Sequence, residues 1–335
     1  MAMTIYDISK KAGVSIATVS RVLNGSENVR PCTRKKVMDV IDKYDYTPNA
    51  FARGMGLHSL KTICADSSDL FLAKAVYFLE QELQANGYES LLCCTGYNPD
   101  IKKNYLNLIL SKKVDSIILV GSHFIGFNED ENQYIKDVST QVPIMLLNAS
   151  FDHPNVYSTL CDDYGTMFEA ATEMIQSGIT DILYLYDSKS YSGLKKLHGF
   201  CDAMKEYNIP GFEKLIHFYD GNIEHLNEVA DFVARIATKG TSFHGIMTSD
   251  DSLAIGSIKY AQKKGIRIPE ELSVMGYNNS MLTNCCTPEL TSVDNRLETQ
   301  THQLVQTLLG VLAGEEMPKK SIFSGKIIKR GTTLF

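Results

Sequence analysis

Apolar residues recur at helical spacing at Ile5, Ile8 and Ala12, and again at Val19, Val22 and Leu23, with Gly13 between the two runs. The spacing predicts one helix over residues 5–12 and a second over residues 16–23. Gly13 can take the left-handed conformation that ends a helix, and Ser15 is a good N-cap for the next one. From residue 62 the pattern changes to short apolar runs alternating with longer amphipathic stretches. Predicted strands are 62–65, 90–94, 116–120, 144–148, 182–186, 215–218, 245–248 and 273–277. Predicted helices are 73–86, 103–112, 165–177, 194–207, 223–238 and 252–264, several ending at a glycine such as Gly87, Gly178 or Gly265. This alternation predicts parallel sheets with helices on both faces, and about 210 residues fit two doubly wound lobes better than one.

The second helix of the opening pair leaves Ile16, Ala17, Ser20 and Arg21 pointing outward. Two small helices joined by a glycine turn, with a face of small residues and one arginine, fit a helix-turn-helix that enters the DNA major groove. An ordinary helical hairpin is the bland alternative, and it needs neither Arg21 nor a small-residue face. Charge supports the first reading. Residues 1–60 hold nine Lys/Arg against five Asp/Glu, whereas the remainder holds 24 against 34, within a chain of net charge −6. A basic head on an acidic body suits a DNA reader with a separate sensing domain.

The run Ala12-Gly13-Val14-Ser15-Ile16-Ala17-Thr18-Val19-Ser20-Arg21-Val22-Leu23-Asn24 resembles the signature of the lactose repressor/galactose repressor family. Residues 29–37 continue it as a third helix, and Tyr46-Thr47-Pro48-Asn49-Ala50-Phe51-Ala52-Arg53-Gly54-Met55 resembles that family's hinge helix. The resemblance spans nearly the whole chain. It implies a small all-α helix-turn-helix head over 1–48 and a hinge over 49–60. An α/β core of two doubly wound parallel-sheet, periplasmic-binding-protein-like lobes would follow. One lobe would take 61–158 and 290–320, the other 159–289 and 321–335, with chain crossings near 159, 289 and 321. The first core strand, at Thr62-Ile63-Cys64-Ala65-Asp66, is shorter than the family's usual form, which predicts a truncated strand or a reorganised linker.

Arg21 is the best candidate for a base contact, since a guanidinium can donate two bonds to guanine. Ile16 and Ala17 match the family's specificity positions and suit contact with thymine methyl groups. Thr4, Ser15, Thr18, Ser20, Asn24 and Asn28 carry short polar side chains suited to phosphates, and each could equally be a cap or a solvated residue. Met55 stands where the family inserts a leucine between base steps, and Asn49 and Ala52 would face the backbone and groove floor. The competing reading of residues 49–57 is a simple tether.

For the effector, the resemblance points to Ser67, Asp69 and Phe71 after the first strand, Ser122 after the third, and Asn148 after the fourth. In the second lobe it points to Ser190, Ser192, Lys196, Asp250, Asp251 and Asn278. Carboxylates, amides and hydroxyls converging on one cleft hold vicinal hydroxyls by paired bonds, which is sugar chemistry. Each is also a candidate strand-end cap. Lys196 replaces a usual arginine, Ala149 another, Asp250 a common asparagine and Asn278 a common aspartate, while Ile223 stands where some members place an aromatic. That shuffling suggests a ligand different from those of the well-known members.

Composition excludes some classes. The apolar share of 44% and charged share of 21% are those of an ordinary globular protein. No apolar run reaches membrane-spanning length, and no signal-peptide core opens the chain, so the cytoplasm is expected. The eight cysteines include the adjacent pairs Cys93-Cys94 and Cys285-Cys286 but no C-x-x-C, so buried structural thiols are expected, with no metal and no cofactor. The nearest dinucleotide motif, Gly54-Met55-Gly56-Leu57-His58-Ser59, lacks its third glycine and precedes a strand instead of following one. Ser192-Gly193-Leu194-Lys195 matches S-x-x-K, a pattern common by chance. No catalytic residue is assigned. The expected protein is a DNA-binding transcription regulator of repressor type, a homodimer on a pseudo-palindromic double-stranded operator, controlled by a small carbohydrate-like effector. The rival readings are a sugar-binding protein and an α/β enzyme.

Overall fold

The computed structural model describes residues 5–23, 29–44, 60–65, 70–96, 98–238, 240 and 242–335. Contacts divide the chain into two units, residues 1–59 and 60–335.

The first unit contains α1 (Ile5–Ala12), α2 (Ile16–Leu23) and α3 (Pro31–Lys43). They close on a small core of Ile8, Val19, Val22, Val29, Val37 and Ile41. Gly13 makes the turn with φ +64°, a conformation that costs glycine little. The Ser15 hydroxyl then caps α2 by accepting from the Thr18 amide at 3.2 Å. Pro31 opens α3 where its missing N–H is not needed. At the other end of α3, the Lys11 ammonium lies 4.4 Å from the Tyr44 ring centre.

The second unit holds two six-stranded sheets. Sheet one uses β1 (Leu60–Ala65), β2 (Glu89–Cys94), β3 (Ser116–Val120), β4 (Ile144–Leu147), β5 (Val156–Cys161) and β11 (Lys320–Phe323) in the order β11-β5-β4-β3-β1-β2, all parallel. Sheet two uses β6 (Ile182–Tyr186), β7 (Ile216–Phe218), β8 (Gly245–Thr248), β9 (Ser273–Tyr277), β10 (Thr291–Asp294) and β12 (Lys326–Ile328) in the order β12-β10-β9-β8-β6-β7. Here β12 alone runs antiparallel to its neighbour.

The helices are α4 (Leu70–Ala85), α5 (Pro99–Ser111), α6 (Gln133–Ser139), α7 (Asp163–Gln176), α8 (Tyr191–Glu206), α9 (Leu226–Thr238), α10 (Asp251–Lys264) and α11 (Leu297–Leu312). Central strands such as Ile144–Leu147 and most of Ser116–Val120 are apolar because both their faces are covered. On β3, Ile118 and Val120 meet α4 and α11, while Ile117 and Leu119 meet α5 and α6. On sheet two, Tyr184 and Met275 face α7 and α8, whereas Leu185 and Val274 face α9 and α10. The two doubly wound parallel lobes are those the strand–helix alternation implies.

The chain passes between the lobes at Cys161–Asp163, Asp294–Leu297 and Phe323–Lys326. The sequence reading put these crossings near 159, 289 and 321, so each falls a few residues further along. The largest displacement arises because Thr291–Asp294 pairs in sheet two before α11 returns to lobe one. Strand β1 is not truncated: it starts at Leu60, upstream of the expected Thr62, and pairs with β2 from Leu60 to Ala65.

Helices α7 and α8 touch closely at Gly199, where an added Cβ would lie 2.3 Å from the Tyr164 carbonyl oxygen. Backbone cannot yield as a flexible side chain would. Gly199→Ala should therefore destabilise the core by about 1–3 kcal/mol in urea unfolding. An unchanged midpoint would show that the helices separate freely.

Candidate functional site

On α2 the buried side chains are Val19 and Val22, so Ile16, Ala17 and Arg21 stand exposed on the opposite face. Ser15 is exposed beside them, with its hydroxyl 2.9 Å from that of the half-buried Thr18. Ser20 is half-buried on the same helix. The outward face is thus small and apolar with a guanidinium at its end, a surface that fits a groove floor. Thr4, Asn24, Asn28, Asn49, Ala52 and Met55, with the rest of the expected hinge, lie outside the described residues. So do Ser67 and Asp69.

In the core, the expected effector residues gather between the lobes. Phe71, Ser122, Asn148, Ser190, Ser192, Lys196, Asp250 and Asn278 all line one cavity of about 110 Å³. Phe71, Asp250 and Asn278 also border an outer chamber of about 500 Å³. Ser122 and Asn148 come from the carboxyl ends of β3 and β4, whereas Asp250 and Asn278 follow β8 and β9. That is where open parallel sheets receive ligands. The lobes touch here: the Ser122 hydroxyl donates to that of Ser190 at 2.8 Å.

Two non-glycine cavity residues hold positive φ, Asn148 at +65° and Asn278 at +97°. Asparagine tolerates this better than other non-glycine residues, and the turn aims each amide off its strand end. The Asn278 amide is held at both atoms. It donates to Asp250 at 2.8 Å and accepts from Asn295 at 3.1 Å. Asp250 also caps α10 by accepting from the Ser252 amide at 2.7 Å.

Beneath the cavity lies a buried cluster. Asp163 accepts from the Ser192 hydroxyl at 2.5 Å and the Tyr277 hydroxyl at 2.7 Å. Burial pushes its carboxyl above the ordinary range, opposed by the Lys196 charge and these two hydrogen bonds. The Lys196 ammonium donates to the Ser249 carbonyl at 3.0 Å and lies 4.0 Å from the Tyr277 ring centre. Lys196 is thus anchored at its tip and meets the cavity with its flank.

Asp251 departs from the effector assignment. It is fully buried and does not line the cavity. Its carboxylate accepts from the Ser292 hydroxyl at 2.6 Å and the Ser280 amide at 2.6 Å, bracing α10 against β10 and the turn after β9. The position one residue past Asp250 starts the helix and turns inward, which adjacency in sequence could not reveal. Sequence reading also missed Asp187, Ser188 and Ser249, which line the cavity. Asp187 directly follows β6, so the strand-end rule could have found it; Ser249 binds it through a hydroxyl at 2.8 Å. Among the described residues, no His/Cys/Asp/Glu group is arranged to hold a metal.

The comparisons follow this division. Residues 4–49 match the family described as bacterial regulatory proteins, lacI family, and residues 171–333 match a periplasmic binding protein-like domain. An HTH-type transcriptional regulator of Lachnoclostridium phytofermentans is 49% identical over 99% of this chain and 100% of its own. Catabolite control protein A of Priestia megaterium is 32% identical, covering 88% of this chain and 87% of its own. The fold matches the lac repressor dimer bound to operator and the anti-inducer ONPF, with TM-score 0.85, 20% identity and complete coverage (100%) of both chains. It also matches a CelR–cellobiose complex with TM-score 0.70 and 20% identity, over 98% of this chain and 99% of that one.

Burial raises the Asp251 pKa to about 6, against an ordinary aspartate value of about 3.9. The folded chain keeps a proton there that the unfolded chain has lost, so its contribution to stability falls as pH rises from about 4 to 6 and then levels off. Asp251→Asn removes this titration. The stability of wild type relative to Asp251→Asn, by urea unfolding, should fall across that window by up to about 3 kcal/mol. A pH-independent difference would show that Asp251 is ionised at its ordinary value.

Proposed function

Because the chain belongs to the lacI family of bacterial regulatory proteins, we propose that it is a transcriptional repressor whose grip on a double-stranded operator is set by a neutral carbohydrate bound between the core lobes. It regulates transcription and is not an enzyme. The observation that carries the effector reading is the cavity itself. Eight expected side chains, from strand ends and helix starts in both lobes, meet there.

The chemistry favours an uncharged polyhydroxylated ligand. Asp187 and Asp250 supply carboxylates, Asn148 and Asn278 amides, and Ser122, Ser188 and Ser190 hydroxyls. Lys196 is the cavity's lysine, and its ammonium is already committed to the Ser249 carbonyl and the Tyr277 ring. Among the described residues of the inner cavity, a phosphorylated sugar would face two carboxylates with no guanidinium, since Arg296 lines the outer chamber only. A neutral sugar presents donors to the carboxylates and accepts from the amides.

DNA reading rests on the exposed face of α2, with Arg21 as the base-reading group and Ile16 and Ala17 against thymine methyls. One three-helix head covers too little DNA for strong selectivity, so two heads on a homodimer would read a pseudo-palindromic site. A ligand bridging Ser122 and Asn148 on one lobe with Ser190 and Asp250 on the other favours one lobe spacing. It thereby shifts a two-state population, and operator affinity with it. A protein whose target is the chromosome of a bacterium works in the cytoplasm.

Arg21→Ala should weaken operator binding by about 1–3 kcal/mol and relax preference at one symmetric base pair, measured by fluorescence anisotropy against a randomised site. Log affinity of wild type should fall linearly with log salt. Selectivity unchanged in the variant would reassign Arg21 to a phosphate. For the effector, thermal shift against uncharged and phosphorylated sugars should show stabilisation by uncharged members. Asp187→Asn should weaken that ligand by about 1.5–3 kcal/mol while leaving ligand-free operator binding unchanged. Stabilisation by phosphorylated sugars instead would overturn the neutral-ligand reading and leave DNA regulation standing.

A further inference from the structure

The first two core strands bring together two thiols that lie far apart in the sequence. Cys64 of β1 and Cys93 of β2 are direct register partners in the parallel ladder. Partners on adjacent strands share a face, and these two do: both pack on the apolar cluster of Leu106, Ile109, Ile117 and Leu119. Adjacent strands run about 4.8 Å apart, within the Cα separation a disulfide spans. Strand β2 ends the sheet order, and Cys93 is half-buried there while Cys64 is fully buried. One thiol thus meets solvent and the other waits behind it.

We propose that Cys64 and Cys93 form a redox modification site, which a peroxide-class oxidant converts reversibly into a cross-strand disulfide. The half-buried partner, Cys93, reacts first. Its thiolate attacks one peroxide oxygen, the O–O bond breaks, and Cys93 becomes a sulfenic acid as hydroxide leaves. The Cys64 thiol then attacks the Cys93 sulfur, an S–S bond forms, and the sulfenic oxygen leaves as water. Overall, two thiols are oxidised to one disulfide and one peroxide is reduced to two waters.

The electrostatics favour that order. The Cys93 thiol is held down to about 7, first by its hydrogen bond with Cys64, against the opposing effect of burial. The same bond, together with burial, pushes the Cys64 thiol well up. The direction makes Cys93 the readier thiolate of the two, with Cys64 keeping the proton that supports it. The neighbouring Cys94 is exposed and points to the other face of the strand, so adjacency in sequence selects the wrong partner.

The test uses the full-length reduced protein, treated briefly with hydrogen peroxide, with remaining thiols capped by N-ethylmaleimide and peptides mapped without reduction. The expected product is a peptide pair linked through Cys64 and Cys93 that dithiothreitol separates, with the other six of the eight cysteines capped. In Cys64→Ser, whose hydroxyl can still donate to the Cys93 thiolate but cannot resolve it, and secondarily in Cys64→Ala, Cys93 should accumulate a sulfenic acid. Dimedone should then label it at least about tenfold more than in wild type. A Cys93–Cys94 link in wild type would overturn the proposal. So would equal dimedone labelling in wild type and the Cys64 variants, or capping of all eight thiols after peroxide.

Discussion

Parallel strands covered by helices on both faces leave a polar side chain one place to reach a ligand, the open carboxyl ends of the strands. Everything in the core follows from that constraint. The strand interiors are apolar on both faces, from Ile117–Val120 in one lobe to Leu183 and Tyr184 in the other. Within two residues of their ends the chain turns polar: Ser122, Asn148, Asp187, Asp250 and Asn278. Because the two sheets present these ends to each other, residues distant in sequence become neighbours without a dedicated loop to gather them.

Much of this was legible in advance, because period carries physical content. The strands Ser116–Val120, Ile182–Tyr186, Gly245–Thr248 and Ser273–Tyr277 have the predicted bounds, being short apolar runs between glycine-ended helices. Strands β5, β10, β11 and β12 gave no such signal. Strands β5 and β10 are buried but carry polar pairs, Ser158-Thr159 and Thr291-Ser292, that break the apolar run. Strands β11 and β12 have few buried positions, as in the edge strand Lys320–Phe323, whose side chains are alternately exposed and half-buried. Edge strands owe their pairing to the sheet beside them and little to their own composition. The cavity residues were legible through the family resemblance and the strand-end rule together. Asp187, the first residue past β6, is legible through the strand-end rule alone.

Three aspartates show how depth sorts one side chain into different work. Asp250 stays half-buried at a helix cap and keeps a face on the cavity. Asp251, next in line, is fully buried and ties helix, strand and turn together. Asp163 lies under the cavity floor, where it orders Tyr277 and Ser192 in the company of the Lys196 charge. A carboxylate without water must find donors, and those donors hold the second lobe's share of the cleft in place. Sequence position alone gives no measure of depth, so the two neighbours read alike until the helix start is located.

The three crossings between the lobes bear on how the chain is made. Lobe one opens at β1, yet it needs α11 and β11, which follow nearly the whole of lobe two. Neither sheet is therefore complete until β11 and β12 have left the ribosome. The head differs: its core of Ile8, Val19, Val22, Val29, Val37 and Ile41 is complete once α3 emerges. Folding during synthesis then runs out of step, with a finished head leading a long, half-assembled core whose apolar strands stay exposed until the final residues arrive.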